Sequence, residues 1–153
     1  MRLRKLANHT EITDIISRCQ VCHVAMVDNE GKPYLVPMNF GFADDVIYLH
    51  SGQKGKKIDS LKKNPEVCIN FTTDHELRYQ HKEVACSWNM RYRSVLCYGT
   101  VEFIEAAQLK RKALDVVMKQ YTGGKFNYNP PSIREVNCWT IKVERFNGRA
   151  YGY

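Results

Sequence analysis

The chain has 153 residues, 44% of them hydrophobic and 11% aromatic, which suits one domain (residues 1–153) whose core needs no disulfide bridges. Its 23 lysines and arginines exceed 16 acidic residues and give a net charge of +7, which favours anionic ligands in general. There is no apolar run of the roughly 20 residues that a membrane span requires, no apolar signal core and no nucleic-acid-binding signature. We therefore expect a cytoplasmic protein that binds neither membrane nor nucleic acid.

The first half of the sequence predicts a helix followed by a strand meander. Ile12, Ile15 and Ile16 recur at helical spacing, and Asn8 or Thr10 can cap a helix that ends at Arg18. Strand-like segments follow at 22–27, 34–41 and 46–50, and the turn-forming residues at 28–33 and 43–45 predict two hairpins between them.

The second half continues this mixed pattern. A lysine-rich helix ends before Pro65, and a strand follows at 67–72. The segment 73–93 has no clear period, so we predict an irregular loop with a strand near 84–88. A long strand at 94–104 contains Gly99, which indicates a bulge or a close backbone approach. The remaining predicted elements are a helix at 106–121, a loop at 123–131, a strand at 137–146 and a terminal turn at 147–149.

The predicted helix at 106–121 carries one apolar stripe. Its members share helical spacing and are Leu109, Ala113, Val116, Val117 and Tyr121. Lys110 is expected to reach solvent. About six or seven strands with two or three helices predict a mainly antiparallel β-barrel with helices at its periphery.

The segment 48–57 ends a strand in polar side chains, turns through glycine and opens the lysine-rich helix. The first N–H groups of a helix have no intrahelical partners, and the helix dipole favours an anion there. Lys54, Lys56 and Lys57 add positive charge at this point. The segment therefore indicates either a phosphate site or a solvated basic turn.

Cys19 and Cys22, followed by His23, match both a redox pair and a site for covalent haem attachment. The residues that follow are typical of a strand entering the core, and the other four cysteines are scattered singly, without the spacing of a zinc site. We expect reduced thiols and no metal site.

Several segments, in this order, resemble the FMN-binding split barrels of the pyridoxamine-phosphate-oxidase-like superfamily, a Greek-key fold, and within it the nitroimidazole-resistance branch. The resemblance lies in the segments 31–41, 47–51, 55–58, 64–68 and 92–99. The C-terminal residues 146–153 do not resemble the substrate segment of true pyridoxamine-phosphate oxidases, so oxidation of vitamin B6 is not the expected activity.

The resemblance implies a set of site residues. It places the flavin ring near Pro37, Met38, Asn39 and Phe40, and the phosphate at Gly55, Lys56 and Lys57. His50, the candidate catalytic residue, and Ser51 fall beside the flavin. Because relatives are usually homodimers with flavin at the interface, Arg93, Ser94 and Trp139 are expected to serve either their own cofactor or a partner's. Trp139 is also a candidate for the core or the dimer interface.

The expected function is that of an FMN-dependent oxidoreductase. Reduced nicotinamide, NADH or NADPH, would reduce FMN, and a small acceptor such as a nitroaromatic would receive the electrons. The alternative is a haem-binding or haem-handling split barrel, in which His50, or Cys22 and His23, would ligate iron.

Overall fold

The computed structural model describes residues 2–153, which form nine strands and four α-helices. In chain order these are β1 (Leu3–Leu6), α1 (His9–Arg18), β2 (Cys22–Val27), β3 (Pro33–Met38), β4 (Gly41–Ala43), β5 (Val46–Gly52), α2 (Lys56–Lys63), β6 (Glu66–Arg78), β7 (Asn89–Ile104), α3 (Ala107–Tyr121), α4 (Pro130–Glu135), β8 (Val136–Lys142) and β9 (Arg145–Tyr151). A short 3₁₀ helix occupies Ala85–Ser87. Within residues 2–153, none of the helices has the length and hydropathy of a membrane-spanning segment.

The strands are antiparallel and follow the order β3-β2-β6-β7-β8-β5-β4, with β9 on β7 and β1 on β9. Strand β7 belongs to both halves of the barrel, because its residues 92–98 pair with β9 and its residues 101–104 pair with β8. The predicted fold class, a split β-barrel with peripheral helices, is confirmed.

The predicted strand at 34–41 is two strands. It breaks at Asn39 and Phe40, so that β3 pairs with β2 while β4 pairs with β5 in the other half of the barrel. The hairpins β2–β3 and β4–β5 are both present, as predicted. Asp44 and Asp45, between β4 and β5, have φ of 51° and 60°, the left-handed geometry that two-residue hairpin turns require.

The prediction for 73–93 is wrong. Strand β6 continues to Arg78, β7 begins at Asn89, and the expected strand near 84–88 is instead the 3₁₀ helix. The two strands form a ribbon whose register shifts between Thr73 and Glu76. Much of this ribbon is exposed, so its side chains lack the apolar alternation by which half-buried strands are recognised.

The end of the chain also differs from the prediction. Residues 147–149 lie inside β9, not in a terminal turn, because β9 is held between β7 and the unpredicted strand β1. Gly148 suits this position, since a Cβ there would lie 2.9 Å from Leu6 Cβ. The predicted loop at 123–131 overlaps α4 by two residues, because α4 starts at Pro130.

The helices pack on the barrel through narrow apolar faces. Helix α1 buries Ile12, Ile15 and Ile16, as predicted. In α3, Ala113 is buried as expected, but Leu109 is 52% exposed and Lys110 only 7% exposed. The start of α3 is therefore rotated relative to the predicted stripe, and a lysine, instead of a leucine, lies under the protein surface.

Candidate functional site

A groove of about 620 Å³ lies where β3 and β5 end and α2 begins. Its volume falls within the range of about 300–1,000 Å³ that small-molecule sites occupy. Six of the residues named from the sequence line it together, and they are Pro37, Met38, Asn39, His50, Ser51 and Lys57. Gly52, Ser132, Glu135 and Val136 complete the lining.

The start of α2 supplies the cationic end of this groove. Gly55 precedes the helix with φ of 122°, a backbone conformation that side-chain-bearing residues rarely adopt, and no side chain caps the helix. The first N–H groups of α2 are therefore free to meet an anion. Lys57 is half-buried, and burial lowers the pKa of its ammonium group.

His50 and Ser51 lie at the end of β5, opposite Cys138 and Asn137 of β8. Burial, and then the charge of Lys57, lower the pKa of His50 below its ordinary value, so the imidazole is neutral at pH 7. Ser51 Oγ donates a hydrogen bond to the Gly52 carbonyl at 2.9 Å and keeps its lone pairs as acceptors. The groove thus contains a neutral imidazole, a hydroxyl and a carboxamide from Asn39.

Lys54 and Lys56 are not among the residues that line the groove. Lys54 is exposed, and Lys56 points to the other side of α2, where its Nζ lies 2.9 Å from Asp28 Oδ2 and 4.8 Å from the centre of the Tyr34 ring. Asp28 is buried, and its Oδ1 also accepts the backbone N–H of Glu30. Within one chain, Lys56 therefore forms an ion pair that stabilises the fold.

This ion pair predicts a pH dependence of stability. The hydrogen bond from Lys56, together with backbone N–H donors, lowers the pKa of Asp28 from 3.8 to about 2. A carboxyl group whose pKa is lowered by folding stabilises the native state above pH about 4, and this contribution is lost as the pH falls toward about 2. We expect Lys56→Gln to reduce that contribution. Between about pH 5 and about pH 2.5, the free energy of unfolding measured in urea should therefore fall less for the variant than for the unsubstituted protein. An unchanged pH profile would contradict the assignment.

Phe40 and Trp139 lie in the core, and both are fully buried in the single chain. Phe40 packs edge-on against Phe71 with ring centres 4.8 Å apart, and Trp139 stacks on Phe103 at 5.7 Å. Trp139 Nε1 is buried without a hydrogen-bond partner. Neither side chain lines the groove.

Arg93 and Ser94 also lie away from the groove lining, on β7 next to β9. Arg93 Nη1 donates to Asp74 Oδ2 at 2.7 Å, and its guanidinium lies 3.8 Å from the centre of the Tyr153 ring. Ser94 pairs with Arg149 and is half-buried. A role for these residues in cofactor binding stays a prediction.

Helix α4 contributes Ser132 and Glu135, which sequence reasoning missed. The signal was available, because Asn129 followed by two prolines is a typical helix start. Asn129 Oδ1 indeed accepts the Ser132 N–H at 2.8 Å. The adjacent glycines and aromatics favoured a loop instead.

Cys19 and Cys22 are free thiols in the protein interior. Both thiols are buried, and burial raises their pKa values to about 11 and about 12. Cys19 Sγ donates to the Ile15 carbonyl at 3.3 Å. Thiols that stay protonated at neutral pH are poor nucleophiles and poor metal ligands. Among residues 2–153, moreover, no group of three His, Cys, Asp or Glu side chains could hold a metal ion.

The shared strand β7, the antiparallel order and the groove at the ends of β3 and β5 define a split-barrel protein. The model of the family described as pyridoxamine 5'-phosphate oxidase matches residues 8–150. The chain therefore belongs to this family.

Solved structures agree with this assignment. A proposed 5-nitroimidazole antibiotic resistance protein from Bacteroides thetaiotaomicron VPI-5482 is 43% identical, with a TM-score of 0.89 over 97% of this chain and 87% of its own. Two structures share the fold at 18% identity: an FAD and heme binding protein from Mycobacterium smegmatis (TM-score 0.85, 97% of this chain, 74% of its own) and the flavocytochrome Anf3 from Azotobacter vinelandii (TM-score 0.83, 99% and 70%). A comparison with curated proteins found no significant match.

Proposed function

We propose that the protein is an FMN-dependent oxidoreductase that takes electrons from NADH or NADPH and passes them to a small acceptor such as a nitroaromatic. The observation that carries this proposal is the groove, in which Lys57, His50 and Asn39 meet beside the uncapped start of α2. The family match and the 43% identity to a proposed nitroimidazole resistance protein support it.

The chemistry of the groove fits FMN. A phosphate dianion requires cationic and N–H donors, which Lys57 and the start of α2 supply. Ribityl hydroxyls require small polar partners, and Ser51 and Asn39 offer them. A flat ring requires an apolar surface, for which Pro37 and Met38 are suited. Glu135 adds one carboxylate to the lining, so the phosphate belongs at the end formed by α2.

When bound, FMN would supply the electron transfer itself, and the protein would bind and orient it. Lys57 would offset the charge of the phosphate. The neutral His50 has one ring N–H donor and one acceptor nitrogen for a cofactor or substrate atom. Met38 would exclude water from one side of the ring. No nucleophilic side chain is needed for this chemistry.

Purified protein should be yellow, with flavin absorption bands, and anaerobic NADH or NADPH should bleach them. A nitroaromatic added afterwards should restore the bands. The bleaching rates with the two nicotinamides identify the preferred donor. Failure to retain or take up FMN at micromolar concentration would contradict the proposal, whereas FMN that binds but is not bleached would leave a flavin carrier instead of an enzyme.

Haem binding is the second candidate, because the half-buried His50 is neutral, which is the form that ligates iron. Two structures with the same fold are described as a heme binding protein and a flavocytochrome. Titration with haemin would then give a Soret band that His50→Ala removes. A Soret band that survives His50→Ala would exclude ligation by this residue.

We also propose a homodimer. The ribbon of β6 and β7 and the loop that joins these strands expose apolar side chains, namely Leu77, Tyr79, Val84 and Met90, each 45–55% exposed. A second copy of the chain could cover this surface and bring Arg93 and Ser94 near a groove. Light scattering after gel filtration should give twice the chain mass of 17.8 kDa. A mass of one chain at micromolar concentration would contradict the dimer.

A further inference from the structure

A second cavity, of about 490 Å³, lies between α2, the start of α3 and α4. It shares none of its lining residues with the groove described above. Three cationic side chains line it, from Lys62, Lys110 and Arg134, against one carboxylate, from Glu105. Phe103 and Ile133 add an apolar wall. The cavity is therefore positively charged at one part and apolar at another.

Lys110 is the unusual member of this lining. Its side chain is buried, with 7% relative exposure, yet its Nζ donates only to the Val136 carbonyl, at 2.8 Å. An ammonium group has three N–H donors, and within residues 2–153 it forms no salt bridge with a carboxylate. Buried charges are normally paired, because removing them from water is costly. An anion in the cavity would provide the missing partner.

The start of α3 also favours an anion in the cavity. Ala106, which precedes the helix, provides no side-chain cap, and Ala107 lines the cavity. The first N–H groups of α3 therefore lack protein partners, and the helix dipole is positive at this end. Lys110 is the fourth residue of α3, close to the positive end of the helix dipole, which disfavours a cation. An anion would be attracted by both the dipole and the lysine.

Lys62 and Arg134 extend the positive potential to the mouth of the cavity. Both are exposed, and neither forms a salt bridge with a carboxylate of the described residues. The Gln53 side chain is bonded to the Arg134 carbonyl and so links the end of β5 to α4. This contact fixes the wall that carries Arg134.

We propose that this cavity binds a small organic oxyanion, a carboxylate or phosphate attached to an apolar or aromatic body. The oxyanion would meet Lys110 and the start of α3, and the apolar body would lie against Phe103 and Ile133. This site is additional to the proposed flavin groove and does not depend on flavin binding.

The test is a titration of ¹⁵N-labelled protein, followed by amide chemical shifts. The probes are benzoate and phenyl phosphate, with benzamide as the neutral match for benzoate and inorganic phosphate as the match without an apolar body. We expect benzoate or phenyl phosphate to shift residues 103–110 and 133–137 and to bind more tightly than benzamide. Whichever of these two probes binds more tightly shows whether the site prefers a carboxylate or a phosphate. Equal shifts with benzamide, or shifts confined to other residues, would overturn the proposal.

Single substitutions test which residues contribute to binding at this site. Arg134→Gln should weaken binding by about fivefold, the effect of losing one partly exposed charge pair, and Lys110→Met by more than about tenfold. Lys119→Gln, an exposed lysine on the same helix, should leave affinity unchanged. Because Lys110→Met replaces a buried group and could fail to fold, Arg134→Gln alone decides the result in that case, and unchanged affinity would overturn the site.

Flavin binding provides the last control. FMN affinity should be the same in Arg134→Gln as in the unsubstituted protein, since the two sites have separate linings. Loss of FMN binding in this variant would make the cavity part of the cofactor site and would overturn a separate site. Failure of all FMN binding, with benzoate or phenyl phosphate still bound, would reject the proposed function and retain the oxyanion site.

Discussion

Lys57→Gln is expected to weaken FMN binding by about tenfold to a hundredfold, because a hydrogen bond to a charged group contributes about 1.5–3 kcal/mol. Lys57 lines the groove beside the uncapped start of α2. The substitution keeps a polar side chain and removes the charge. Quenching of flavin fluorescence during titration measures the affinity directly.

Two controls locate the effect. Lys56→Gln removes the same charge from the adjacent residue, but Lys56 is bound to Asp28, so FMN affinity should change by less than roughly threefold, as expected for a screened surface charge. Riboflavin, which has no phosphate, should bind Lys57→Gln and the unsubstituted protein equally. An equal loss for riboflavin and FMN would mean that Lys57 does not contact the phosphate.

Gly99→Ala is expected to reduce the free energy of unfolding by about 1–3 kcal/mol, the usual effect of overpacking. Gly99 lies in β7, where a Cβ would come 2.5 Å from the Lys142 carbonyl oxygen and 2.7 Å from Ile141 Cγ2. A backbone carbonyl cannot rotate away as a side chain can, so strands β7 and β8 would have to separate. Urea unfolding measures the change.

Gly123→Ala is the matched substitution. A Cβ at position 123 would meet no heavy atom within 4 Å beyond its chain neighbours, and the residue follows α3 in an exposed loop. The variant should therefore be as stable as the unsubstituted protein or up to about 1 kcal/mol more stable. If both variants unfold at the same urea concentration, the close approach of β7 and β8 does not constrain residue 99.

The sequence predicted those helices and strands in which buried apolar residues recur at the period of the element. Helix α1 shows its apolar face directly, and β2 has the alternation of a strand with one face in the core. The ribbon at 74–93 lacks this alternation because much of it is exposed, and β9 was missed because an Asn-Gly pair is usually a turn. In β9, backbone pairing with β1 and β7 outweighs the local preference of this pair for a turn.

For the site, the residue types alone establish the chemistry: a polar strand end at His50 and Ser51, a glycine before a helix, and lysines at its start. Which lysine faces the groove depends on how α2 packs in the fold, because successive helical residues point about 100° apart. Lys57 consequently faces His50 while Lys56 faces Asp28. The same rotation, set by how α3 packs on the barrel, buries Lys110 and exposes Leu109. A helix's position around its own axis depends on all its packing partners, and local sequence does not specify them.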